Sequence, residues 1–179
     1  MALKSTIFKA DLDISDMDRN YYQSHSLTLA RHSSETDERM MVRLLAFALH
    51  AHENLAFSEG LSNAEEPALH QKDLTGAIDL WIEVGQPDEK KLLKACGRAK
   101  QVVVYCYASG APKWWNAVSS KLERAKALKV VHILDILELS KRVQRGVRFF
   151  CMVQDGHLTL TDGEETVEVR METLREQTQ

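Results

Sequence analysis

Hydrophobic and polar residues alternate near the start of the chain. Over residues 6–15 the apolar Phe8, Ala10, Leu12 and Ile14 interleave with Lys9, Asp11 and Asp13, and after a polar connection at 16–20 residues 21–30 repeat the period of two. A strand turns successive side chains to opposite faces, so this pattern predicts an antiparallel strand pair with one wet face. The period then changes. Residues 33–38 supply capping hydroxyls and first-turn acids, and Met41, Leu44, Leu45, Ala48 and Leu49 recur at helical spacing, which predicts an amphipathic helix over about 35–53.

A polar stretch at about 59–67 separates this helix from a strand at 77–85, in which Ile78, Leu80, Ile82 and Val84 point one way and Asp79, Trp81 and Glu83 the other. Pro87 follows as the expected first helical residue, with Asp88 and Glu89 behind it and Leu92, Cys96 and Ala99 as the apolar stripe of a helix over about 87–99. Residues 102–107 form a continuous apolar run, the pattern of a central strand covered on both faces. A helix from Pro112 to about 128, a buried strand at 130–134 and a short helix at 136–145 come next. Two strands joined at Asp155-Gly156, a type I′ turn signal, and a third at 167–170 finish the chain. An interior in α/β order between antiparallel ends is a mixed α+β class.

At 179 residues the chain has the size of one domain with one sizeable core, which sets the expectation of a single unit spanning 1–179. Its 44% apolar and 27% charged residues, three prolines and eight glycines are those of an ordered globular protein. No run approaches the ~20 apolar residues of a membrane span, and the first residues lack the apolar core of a secretory signal, so no membrane association and a cytoplasmic location are expected. Cys96, Cys106 and Cys151 sit in apolar contexts and are expected as buried free thiols. A formal charge of -3 argues against indiscriminate coating of nucleic acid, yet residues 113–148 hold nine basic against three acidic groups.

The most informative chemistry is the Asp79, Trp81, Glu83 face. Two carboxylates on a strand suit a hard divalent cation such as Mg²⁺, with Mn²⁺ as substitute; the competing reading is a solvated strand edge with Trp81 covering a neighbouring helix. Residues four apart on a strand have Cα atoms ~13 Å apart, so for Asp79 and Glu83 to serve one ion either a bulge shortens the distance, one carboxylate acts through water, or the second ligand comes from elsewhere, with Glu38 and Asp73 the nearest candidates. Gly-x-Gly-x-x-Gly, Walker and Gly-x-Ser-x-Gly patterns are all missing, which leaves a nucleotide or redox cofactor and a serine nucleophile without support. His50 and His52 stand ~200° apart on a helix and do not pinch one metal.

Ser34-Glu35-Thr36 before Glu38-Arg39-Met40-Met41, then Ile78-Asp79-Leu80-Trp81-Ile82-Glu83, Gly85, Pro87-Asp88-Glu89 and Lys94-Ala95-Cys96, resemble the YaeQ family of Gram-negative bacteria over residues 1 to about 172. That family is similar to the PD-(D/E)XK nuclease fold, in which a helix, three strands, a helix and a further strand carry the site. The resemblance implies a nuclease-like core over about 35–135, elaborated by terminal strands at 5–30 and 147–171, with Glu83 at the (D/E) position. It further implies Mg²⁺-dependent phosphodiester hydrolysis on DNA or RNA, with Glu83 and Asp79 or Glu38 as metal ligands. The motif lysine is replaced by Gly85. Lys94, paired in spacing with Lys90, is the candidate replacement cation, and Gln86 a candidate for positioning water. The alternative implied by the missing lysine is a scaffold that has lost the reaction and binds nucleic acid or a protein partner. Lys113, Trp114, Lys121 and Arg124 are then its contact residues, against the plainer reading of solvated cations and core tryptophans.

Overall fold

A computed structural model describes residues 5–59, 65–142 and 144–179. In chain order the elements are β1 (Thr6–Asp16), β2 (Tyr21–Arg31), α1 (Asp37–His50), β3 (Leu55–Phe57), β4 (Leu69–Lys72), β5 (Ile78–Val84), α2 (Glu89–Arg98) and β6 (Ala99–Cys106). They continue with α3 (Ala111–Val118), a 3-10 turn (Ser119–Leu122), β7 (Leu128–Ile133), α4 (Ile136–Ser140), β8 (Gly146–Gln154), β9 (His157–Thr161), β10 (Thr166–Val169) and β11 (Met171–Arg175). The class is mixed α+β, with two mixed sheets. Two compact units emerge, one from Met1–His50 with Asp135–Arg170 and one from Ala51–Leu134 with Met171–Gln179. The core expected at 35–135 thus draws α1 from the first unit and β3 to β7 from the second.

The first unit is built on a sheet in the order β10-β9-β8-β1-β2, with β1 and β8 parallel. β1 and β2 pair antiparallel over their full length, burying Phe8, Ala10, Leu12 and Ile14 and leaving Lys9 and Asp11 exposed, as the alternation predicts. Hydrogen bonds from Ser24 and Arg148 hold the Asp13 carboxyl below the usual carboxylate range on the wet face. α1 starts two residues later than expected. Glu35 turns inward instead, where its carboxylate accepts from Arg39 Nη1, Arg43 Nε and Arg43 Nη2, each at 2.8 Å. Asp155 (φ 52°) and Gly156 (φ 77°) make the hairpin turn, and both amides donate to the Asp18 carboxylate at 2.8 Å. α4 is shorter than the helix expected at 136–145: Ser140 Oγ donates to the Leu137 carbonyl at 2.8 Å and the helix ends there, while residue 143 lies outside the described residues.

The second unit is built on a sheet in the order β11-β7-β6-β5-β4-β3, with β5, β6 and β7 parallel. β3 and β4 have three and four residues, too short for a periodicity to register, and flank the polar stretch at 59–67, of which 60–64 lie outside the described residues. β11 was likewise not expected; it adds antiparallel to β7 with a bulge at Thr173/Arg175. The connections β5-α2-β6 and β6-α3-β7 return over one face, on which Trp81, Val102, Val104, Cys106, Leu128 and Val130 pack with Leu92, Ala95, Val118, Leu122 and Ala125. The face of Asp79, Trp81 and Glu83 is therefore covered rather than outward, with Trp81 2% and Glu83 4% exposed. Pro87 precedes the helix instead of opening it, because Asp88 is the N-cap and its Oδ1 accepts from Lys91 N at 2.8 Å, a cap worth about 1 kcal/mol. The helix from Pro112 also ends early, tightening at the Ser119-Ser120 pair into the 3-10 turn, since serine hydroxyls compete for backbone bonds.

Candidate functional site

β5 delivers Glu83 to a position under α2. Its Oε1 accepts the Trp81 indole N–H at 2.7 Å, and its Oε2 lies 3.2 Å from Lys91 Nζ. Period two puts Trp81 and Glu83 on one face of the strand, and the Asp88 cap fixes the first turn of α2 from which Lys91 descends. The lysine beside Glu83 is thus Lys91, not Lys94. Lys91 stands four residues before the buried Ala95 and so shares its side of the helix, whereas Lys90 and Lys94 are exposed.

The other expected ligands lie elsewhere. Asp79, nearer the start of β5, pairs with Lys100 Nζ at 2.6 Å, and that hydrogen bond is the main cause holding the Lys100 ammonium above its ordinary pKa. Asp73 accepts from Thr75 N, Thr75 Oγ1 and Ala77 N, which lowers its carboxyl, and stands 4.0 Å from Lys100. Glu38 belongs to the other compact unit. Among the described residues no three His, Cys, Asp or Glu side chains gather as a metal site. With both Glu83 oxygens engaged and Asp79 held by Lys100, the donor set does not fit Mg²⁺ or Mn²⁺.

Gly85 has φ +110° and its amide donates to the Tyr105 carbonyl at 2.9 Å. A lysine would be strained in that conformation, which is a physical reason for glycine where the resemblance expects a lysine. Gln86 is exposed and its Nε2 donates to the Tyr107 carbonyl at 3.2 Å, joining two loops. Trp114 is half-buried, donates its indole N–H to the Pro87 carbonyl at 2.8 Å and packs with Trp115 against the core. Lys121 pairs with Glu89 at 3.2 Å, while Lys113 and Arg124 are exposed. All three cysteines are free; burial pushes the Cys106 and Cys151 thiols up to about 12. Cys96 is only half-buried, and burial raises it too.

Above Glu83 lies a cleft of about 240 Å³ lined by Glu65, Trp81, Asp88, Lys90, Lys91, Lys94, Ala95 and Arg98. Lys94 Nζ is 2.7 Å from Glu65 Oε2, and the Arg98 guanidinium sits 5.0 Å from the centre of the Trp81 ring. Four cations against two acids make the lining net positive. Glu65, Lys91 and Arg98 were not singled out from sequence; their convergence depends on α2 lying alongside the segment that leads into β4.

A family model described as "YaeQ protein" matches residues 1–171. Relatives named "Uncharacterized protein YaeQ" from Salmonella typhi and Escherichia coli (strain K12) are each 41% identical over 174 residues, covering 96% of both chains. The crystal structure of YaeQ protein from Xanthomonas axonopodis pv. citri matches with TM-score 0.91 and 44% identity, over 96% of this chain and 99% of that one. That of YaeQ protein from Pseudomonas syringae matches with TM-score 0.92 and 36% identity, over 97% of each. No helix among the described residues is long and apolar enough to cross a membrane.

Proposed function

The chain belongs to the YaeQ family, and we propose that it is a nucleic-acid-binding module on a PD-(D/E)XK-like scaffold, acting in the cytoplasm, where its free thiols stay reduced. The order α1, β3, β4, β5, α2, β6, with β5 and β6 parallel, supports the scaffold. The observation that carries the binding reading is the cleft along α2: of the four cations that line it, Lys91 neutralises the buried Glu83 carboxylate, which also accepts the Trp81 indole N–H, and Lys90, Lys94 and Arg98 stand beyond it. Such a surface attracts phosphate.

Anisotropy titrations of single-stranded DNA and RNA against salt test this. About three phosphate contacts give a log–log salt slope near -2, and Lys90→Gln with Lys94→Gln reduces both affinity and slope. Absence of binding at low salt defeats the reading and directs attention to a protein partner. The opposing outcome is Mg²⁺-dependent phosphodiester hydrolysis centred on Glu83, which would require that carboxylate to release Lys91 Nζ, 3.2 Å away, in order to take a metal. Mn²⁺-stimulated cleavage of the same oligonucleotides that disappears in Glu83→Gln would establish it.

A further inference from the structure

Building on the nucleic-acid reading, we propose that the α2 cleft seats the phosphate backbone of a nucleic acid and that Glu65 stands in the phosphate seat at Lys94 as an internal competitor. Its carboxylate is 2.7 Å from Lys94 Nζ, and its main-chain carbonyl accepts from Arg98 Nη1 at 3.2 Å. Lys94 first, then Arg98 and Lys91, hold the Glu65 carboxyl below the usual range. A carboxylate in contact with Lys94, on a residue whose carbonyl is held by Arg98, marks a place where the local field is positive. A phosphate oxygen has the same sign of charge and the same acceptor chemistry, so it is favoured at the same place.

The geometry also says which part of a nucleic acid enters. Lys90, Lys94 and Arg98 recur every four residues, about 6 Å apart along one side of α2, a row that follows a phosphate chain. Among the described residues of the cleft the one aromatic ring, Trp81, offers no stacking platform, because it is 2% exposed with the Arg98 guanidinium 5.0 Å from its centre. Recognition is therefore of phosphate and independent of base sequence. The Glu65 side chain is 63% exposed, so it leaves for water without disturbing the core. An exposed ion pair of this kind corresponds to about two- to fivefold in affinity.

The full-length protein is titrated with a labelled single-stranded DNA oligonucleotide at low salt. Glu65→Gln is expected to bind about two- to fivefold tighter and Lys94→Gln to bind more weakly. Glu66→Gln makes the same charge change at an exposed residue outside the cleft lining and is expected to leave affinity unchanged. If Glu65→Gln gives no tightening, or Glu66→Gln tightens equally, the competitor role is overturned while the binding module stands. Binding absent from every variant overturns both.

Discussion

Replacing Glu83 separates its roles as acceptor and as counter-charge. In Glu83→Ala the Trp81 indole N–H, on a residue 2% exposed, loses the acceptor it has at 2.7 Å. Leaving a buried donor unpaired costs about 1–3 kcal/mol. The Lys91 side chain is 28% exposed and swings to water, so losing its 3.2 Å partner adds only about 1 kcal/mol. The total is about 3 kcal/mol. Glu83→Gln keeps an amide oxygen for the indole and loses the counter-charge alone, about 1 kcal/mol. All three tryptophans, at 81, 114 and 115, lie in the second unit, so tryptophan fluorescence during urea unfolding reports on that unit. The expected midpoints fall in the order wild type, Gln, Ala, at constant slope. If Gln costs as much as Ala, or Ala costs nothing, the Trp81–Glu83 bond is not what makes this carboxylate structural. A Mn²⁺-dependent rise in the wild-type midpoint that Glu83→Gln abolishes would instead show the carboxylate acting as a metal ligand.

In the first unit, Glu35→Ala leaves the buried Arg43 guanidinium without its carboxylate and is expected to cost about 3–5 kcal/mol by circular dichroism in urea, while Glu35→Met with Arg43→Met recovers most of it. Stability should also fall on mild acidification. Burial lowers the pKa of His25 and, as the larger cause, of His70, so between their folded values and the ordinary imidazole value of about 6.5 the unfolded chain binds more protons. This contribution is complete above that value and is lost as pH falls below it, ahead of any carboxylate effect near pH 4. Urea midpoints across this range should decline in the wild type and decline less in a His25→Gln, His70→Gln variant; equal slopes would refute the assignment.

Much of the scaffold is a matter of local pattern. The period of two in β1 and β2, the helical stripe of α1, the alternation of β5 and the Asp155-Gly156 turn each depend on near neighbours in the chain, and each forms where the residue order places it. Short β3, β4 and β11 escape because three to five residues hold too little period, and their pairing energy comes from strands distant in sequence. The site escapes for a related reason. Residue order puts Trp81 and Glu83 on one face, but whether that face meets water or a helix is decided by where the β5-α2-β6 connection returns. Only the tertiary packing of α2 brings Lys91 onto Glu83 and Lys94 and Arg98 onto Glu65, because charge interactions act through distance in space, and separation along the chain does not report it.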